Sequence, residues 1–327
     1  MTTLVTGATG FLGSALAREL LQDGRALKLL TRKNSDTRNI DDLDCELSYG
    51  DLRDRESLKS ALTGCTTLYH TAAYYSLWSR EKKLIYDINV EGTRNILECA
   101  LEMGIEKVVY TSTVGCIGLS ERGLSANEDQ PMNPATLCND YKLSKYEAEQ
   151  IAHEMFDRGL PVVIVNPSTP VGPRDIKPTP TGKIILDFLH RKMPAYIDTG
   201  LNLIDVADCA RGHILAEEKG RPGERYILGN KNMSLKAILL ALEALTGLKA
   251  PRIKMPYWVA YSAGLACEWA SDNITHQPPA VPLAGVKMAK HFMYFDASKA
   301  IRELGLPQNP VENALAQAVQ WFKENTV

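Results

Sequence analysis

Tyr141 and Lys145 stand four residues apart in Tyr141-Lys142-Leu143-Ser144-Lys145, and side chains at that spacing share one face of a helix. An ammonium ~4 Å from a phenol contributes roughly 4 kcal/mol at an effective dielectric of 20. That lowers a tyrosine, ordinarily near 10, by as much as about three pKa units. The phenol can then exchange a proton with a substrate hydroxyl or carbonyl near neutral pH while hydride moves at the same carbon. Thr113 closes the run Val108-Val109-Tyr110-Thr111-Ser112-Thr113 and offers a hydroxyl to hold the substrate oxygen against Tyr141, with Ser112 as the alternative. On a surface helix and a loop cap the same residues would be structural only, so the chemistry needs a hydride carrier beside them.

Gly7-x-x-Gly10-x-x-Gly13 supplies the place for one. It joins an apolar strand to a helix at the N-terminus. Gly7 permits the tight turn, Gly10 lets the backbone approach a pyrophosphate, and Gly13 lets the helix pack on the sheet. Free N–H groups at the helix start then face the phosphates. The second strand ends in Thr31-Arg32-Lys33, with no acid to bond ribose hydroxyls and two cations able to hold a 2′-phosphate, so the expected cofactor is NADP(H), with NAD(H) the alternative. Asp51 and Leu52, after the third strand, are placed for the adenine, although Asp51 would also serve as a helix N-cap.

These residues must be positioned by alternating strands and helices. Strands are expected at 4–6, 27–31, 45–49, 67–70, 107–110 and 162–165, and helices at 11–23, 55–62, 84–103 and 141–156. Short β-branched strands of this kind suit a parallel sheet covered on both faces, with ligands at the edge where the strands end. The expectation is a doubly wound α/β Rossmann sheet over residues 1–166. A smaller, mostly helical substrate lobe follows over 167–327, some of whose strands and helices return to the first domain. The stretch 256–270, with Tyr257, Trp258, Val259, Tyr261, Leu265 and Trp269, reads as a buried helix of that lobe or as a wall for a polyisoprenoid tail or an oligomer contact.

Composition narrows the class. The chain of 327 residues is 45% hydrophobic and 23% charged, as in an ordinary globular protein, and a net charge of −2 gives no reason to expect nucleic acid or an anionic surface as partner. Seven scattered cysteines without C-x-x-C spacing argue against a disulfide frame or a metal site. No apolar run reaches the length of a membrane span, and the expected location is cytoplasmic.

Together these motifs resemble the extended short-chain dehydrogenase/reductase superfamily, the NAD-dependent epimerase/dehydratase group, over essentially the whole chain. His70-Thr71-Ala72-Ala73, Asn89-Val90-x-Gly92-Thr93 and Asn166-Pro167 belong to the same pattern. Within it, the stretch from Pro161 to Gly182, with Met193-Pro194-Ala195-Tyr196 and Asp198-Thr199-Gly200-Leu201-Asn202, is most similar to bacterial hopanoid-associated sugar epimerases, a branch close to the dihydroflavonol 4-reductases. The resemblance implies that Gly7, Thr9, Gly10, Phe11, Leu12 and Gly13 line the pyrophosphate. It implies that Arg32 meets the adenosine ribose or its phosphate, and that Asp51 and Leu52 hold the adenine. Ala72, Ala73 and Thr111 would flank the ribose and nicotinamide, Lys145 would bond the nicotinamide ribose, and Pro167 would sit near the carboxamide. Thr113 stands where Ser is more usual, and the loop from 123 to 139 is long enough to join the substrate site. A homodimer through the helices near 89–103 and 141–156 is also implied.

The substrate is less well specified. Tyr74, Tyr75 and Trp78 are placed to stack on a ring or to pack in the core. Arg174 can clamp a phosphate or carboxylate, or form a surface salt bridge. A nucleotide- or lipid-linked sugar epimerase leads, an NADPH-dependent carbonyl reductase is the alternative that Arg32 favours, and a non-catalytic dinucleotide sensor comes third.

Overall fold

The computed structural model describes residues 2–75, 78, 82–121, 124–137 and 139–326. Its main sheet begins with β1 (Thr2–Thr6), α1 (Phe11–Gln22), β2 (Ala26–Thr31), β3 (Glu46–Tyr49), α2 (Arg55–Leu62) and β4 (Cys65–His70). After β4 come α3 (Lys82–Tyr86), a π turn at Asp87–Glu91 and α4 (Gly92–Glu102), so the helix expected over 84–103 runs over 82–102 with a π segment near its start. β5 (Lys107–Thr111), α5 (Asp140–Asp157) and β6 (Val162–Pro167) complete the first half.

The second half runs through β7 (Thr169–Val171), α6 (Pro180–Leu189), β8 (Gly200–Asp205), α7 (Val206–Lys219), β9 (Arg225–Leu228), β10 (Lys231–Ser234) and α8 (Leu235–Thr246). It ends with α9 (Tyr257–Ala270), α10 (Leu283–Met288), β11 (Phe292–Met293), α11 (Ser298–Leu304) and α12 (Val311–Asn325).

Seven strands form one sheet in the order β3-β2-β1-β4-β5-β6-β9. Every neighbouring pair is parallel. The strands are apolar on both faces because both are covered. On one side α1 and α7 pack with Leu16, Leu20, Ile214 and Ala210 against Val5, Val109 and Val165. On the other, Leu58, Ile96, Leu97 and Ile151 from α2, α4 and α5 cover Leu4, Leu68, Val108 and Ile164. The seventh strand and α7 come from beyond residue 167, so the chain returns to the first domain after leaving it.

The remaining lobe is mostly helical, as its pattern suggests, but its helices are organised on strands. It holds a small sheet in which β8 pairs antiparallel with β10, while β11 joins its first half and β7 its second. Residues 200–205, Gly-Leu-Asn-Leu-Ile-Asp, lack a clean alternation, because β8 is buried on nearly its whole length. A third core, with Phe188, Leu203, Ile238, Leu315 and Phe322, holds α6, α8 and α12 on this sheet. Among the described residues no helix is long and apolar enough to cross a membrane, and the six described cysteines are free thiols.

Candidate active site

The ends of β1, β4 and the start of α1 are locked together first. Gly7 has φ 74°, and a Cβ there would lie 2.7 Å from the backbone of Ala72. A Cβ on Gly13 would lie 2.2 Å from the Gly7 carbonyl oxygen. Only glycine permits this approach. Gly10 N–H closes the turn on the Gly7 carbonyl at 3.0 Å. The Thr71 hydroxyl donates to the Thr6 carbonyl at 2.6 Å, and Ala72 N–H donates to the Thr6 hydroxyl at 3.2 Å. Gly10 begins α1 without any side-chain cap, so the helix start keeps open N–H groups beside a backbone cradle. That cradle fits a dinucleotide pyrophosphate.

A cavity of about 430 Å³ opens at the C-terminal ends of the strands. Every residue expected to hold the cofactor lines it, from Gly7 through Arg32, Asp51, Leu52, Ala72, Ala73 and Thr111 to Pro167. Thr113, Tyr141 and Lys145 lie on the same wall, with Tyr74 and Tyr75. Trp78 and Arg174 do not line it. Trp78 Nε1 donates to Asp272 at 3.0 Å, and Arg174 pairs with Asp42 at 3.1 Å, which realises the salt-bridge reading of that arginine. The part of the 123–139 loop around Gly123 and Cys138 lies outside the described residues. Elsewhere that loop is tied down by a bridge from Ala126 to Phe295 and a turn at Pro134–Thr136.

Beyond the end of β2, Arg32 and Ser35 line the cavity. Arg32 takes part in no ion pair among the described residues, although its charge helps hold Asp51 low. Asp51 accepts two hydrogen bonds from the Arg53 guanidinium at 2.8 Å, which keeps its carboxyl down at about 2. It is Asp54, not Asp51, that caps α2.

The wall that carries Tyr141 and Lys145 is supplied by α5. Asn139 caps this helix by accepting from Lys142 N–H at 2.7 Å, two residues before Tyr141. Lys145 is 3% exposed, and its ammonium donates to the Tyr110 hydroxyl at 3.1 Å and to the Thr111 carbonyl at 2.7 Å. Burial pulls its pKa down to about 8. The expectation that Lys145 lowers Tyr141 is not met in this arrangement. Burial, with smaller contributions from Tyr75 and Cys116, pushes the Tyr141 phenol up, and the ammonium is directed to Tyr110 instead. Tyr75 meets the Tyr141 ring edge-on, with centroids 4.5 Å apart. The Thr113 hydroxyl accepts from Gly115 N–H at 3.1 Å, which leaves its own O–H to donate.

Several participants received no role from the sequence, although His70, Asn89 and Thr93 stand in its motifs. Behind Lys145, the His70 ring lies 5.8 Å from that of Tyr110, with Nε2 3.1 Å from the Thr93 hydroxyl and Nδ1 2.8 Å from the Thr6 hydroxyl. His70 thus ties the glycine turn to α4 beneath the site. Asn89, in the π turn, holds the Tyr74 backbone on both its N–H and its carbonyl and donates to Ser144 on α5. His213 on α7 bonds the Thr111 hydroxyl at 3.0 Å. Ser168 presents a buried hydroxyl on the cavity wall without a hydrogen-bond partner among the described residues. No cluster of His, Cys, Asp or Glu suited to a metal ion occurs among the described residues.

A doubly wound sheet with this glycine cradle and a cavity along its strand ends defines an enzyme of the extended short-chain dehydrogenase/reductase class. Residues 3–229 match the model described as the NAD dependent epimerase/dehydratase family, and the chain belongs to that family. It is 48% identical over 328 residues to a Synechocystis protein named "Putative dihydroflavonol 4-reductase", covering 98% of this chain and 94% of the relative. It is 37% identical to sterol demethylase protein B of Methylococcus capsulatus, covering 99% of each. Among solved structures, PA4631, a nucleoside-diphosphate-sugar epimerase from Pseudomonas aeruginosa, is similar with a TM-score of 0.83 and 26% identity, over 100% of this chain and 98% of that one.

Proposed function

We propose that this protein is an NADP(H)-dependent oxidoreductase that interconverts a carbonyl and a carbinol on an uncharged, largely apolar ring substrate. The observation that carries this reading is the charge of the cavity. Its only described cations are Arg32, at the adenosine end, and Lys145, in the floor. Tyr75 packs on Tyr141, Tyr74, Ser168, Pro170 and Thr179 also line the cavity, and Arg174 is committed to Asp42. A nucleoside-diphosphate sugar brings a diphosphate that needs a cation there. A sterol-like or flavonoid-like ring needs none, and the aromatic walls suit it. The names of the Synechocystis and Methylococcus relatives point the same way.

The cofactor would lie with its pyrophosphate on the cradle of Gly7, Gly10 and Gly13, its 2′-phosphate against Arg32 and its nicotinamide ribose on Lys145. The chemistry it supplies is hydride delivery to the substrate carbon. Tyr141, held protonated by burial, donates the proton to the substrate oxygen. Thr113 donates a hydrogen bond to the same oxygen and fixes it against the phenol. A protonated phenol prepares the reductive direction.

A second reading, a sugar epimerase that retains NAD⁺, rests on the family match and on the likeness to PA4631. Separate titrations of NAD(H) and NADP(H), after assaying the purified protein for retained nucleotide, decide between them. Exchangeable NADPH binding, with NADPH consumed in the presence of alicyclic or flavonoid-like ketones, is the expected result. Retained NAD⁺, with turnover of a nucleotide- or hopanoid-linked sugar, would overturn the reductase reading.

A further inference from the structure

α9 carries a single charged residue, Glu268, in fourteen. A helix apolar all round is normally buried. Here only one side is covered: Ala260 and Gly264 are buried, and a Cβ on Gly264 would lie 3.2 Å from Leu283 of α10. On the other side Trp258 is 71% exposed, Leu265 47% and Trp269 62%, at spacings of seven and four residues that align them on one face. Ile253 and Ile274 extend this surface beyond the two ends of the helix and are equally open. An apolar surface of this kind marks a contact with something else.

The charge around it says what. Between residues 249 and 291 stand Lys249, Arg252, Lys254, Lys287 and Lys290 against Glu268 and Asp272, in a chain whose net charge is −2. Arg252 is paired with Glu243 and Lys254 with Asp198. Lys249, Lys287 and Lys290 form no ion pair among the described residues, and the last two lie on or just beyond α10, which packs on α9. Exposed tryptophans on an apolar helix, with unpaired lysines on and just beyond the helix packed beside it, match the boundary between acyl chains and anionic headgroups. A two-fold contact with a second copy would instead bring two net-positive rims together.

The surface also adjoins the cavity. Trp78, just after the Tyr74–Tyr75 wall, donates to Asp272 at the end of α9, and Asn139, the cap of the catalytic helix, approaches Met288 Sδ of α10 at 3.8 Å.

We propose that α9 and the segment leading to α10 form a docking surface for an anionic lipid bilayer, with Trp258, Leu265, Trp269 and Ile274 entering the headgroup boundary and Lys287 and Lys290 meeting lipid phosphates. The attachment is peripheral and sets the mouth of the cavity beside the lipid.

Co-sedimentation of the full chain with vesicles tests this, and it uses neither cofactor nor substrate, so its outcome is separate from that of the reductase reading. Vesicles of phosphatidylcholine with phosphatidylglycerol should take up the protein. Pure phosphatidylcholine or raised salt should weaken uptake. Trp258→Ser with Trp269→Ser should bind roughly tenfold or more weakly. Lys287→Glu with Lys290→Glu should lose the preference for the anionic lipid. The two tryptophans and Lys290 are exposed and Lys287 is half-buried, and unaltered thermal melting of each variant would show that the fold is intact. No uptake of the native protein, or equal uptake of the tryptophan variant, would overturn the proposal. So would a dimer mass that the tryptophan variant halves while vesicles leave the native protein in solution, because a second copy would then be the occupant.

Discussion

The Tyr110 hydroxyl lies 3.1 Å from the Lys145 ammonium, and this contact gives a residue of the strand a part in the site. A charge-assisted bond of this kind favours the charged lysine, while burial draws its pKa to about 8. Activity that needs the ammonium should therefore fall as pH rises through about 8. In Tyr110→Phe that alkaline limb should move to lower pH, with a stability loss of about 1 kcal/mol; a limb that stays in place would remove Tyr110 from the site. Tyr141→Phe should reduce turnover by about 10²–10⁴-fold while leaving dinucleotide affinity nearly intact, and equal loss of both would sink the acid role. Arg32→Asp should shift preference from NADP(H) toward NAD(H) in paired titrations. The pairing of Tyr141 with Lys145 is legible in the chain because helical geometry dictates it. What the lysine bonds is not, because Tyr110 comes from a strand 35 residues away and looks like any core aromatic.

Elements hold these residues through contacts that cross the sheet. The π turn at Asp87–Glu91 lets Asn89 serve the Tyr74 backbone and Ser144 at once, an arrangement typical of helix irregularities at functional sites. Asn89→Ala leaves both Tyr74 backbone groups without this partner and should cost about 2–3 kcal/mol in urea unfolding, with a raised KM. His213 ties α7 to the end of β5, and burial holds its pKa down at about 4. An unfolded histidine titrates near 6.5, so between pH 6.5 and 4 the unfolded chain binds the extra proton. Stability then falls as pH falls, by up to about 1.4 kcal/mol per pH unit. His70, held near 3, adds the same trend, and Asp175, pushed up to about 6 by burial, opposes it below that pH. His213→Gln should make the urea midpoint less sensitive to acid over that window, and an unchanged slope would show that His213 does not contribute.

For the molecule as a whole, the sheet is completed late. β9 joins beside β6 and α7 packs on α1, so the main sheet and its cover are finished only after α6 and β8 have been made. Truncation at residue 166 should leave β6 as an open edge and α1 uncovered, and the fragment should aggregate or fail to bind nucleotide. We expect the full chain to dimerise through α4 and α5. Light scattering should give twice 36.1 kDa, and a monomer mass would refute that interface.

Local patterns in the chain determine the doubly wound architecture, the glycine cradle and the Tyr–Lys pair, because each depends on residues within a turn or one helix of each other. Arg32 is legible for the same reason, standing at the end of a recognisable strand. Tertiary structure decides what is brought to those residues. Arg174, attractive as an anion clamp in its loop, meets Asp42 from 132 positions away. Burial, a property of the packed molecule, reverses the expected direction of the Tyr141 shift. The helix at 257–270 shows the same division most plainly. Its apolar composition reads as core, but the covered side is used up by Ala260 and Gly264 against α10, and only the folded chain leaves its tryptophans facing outward.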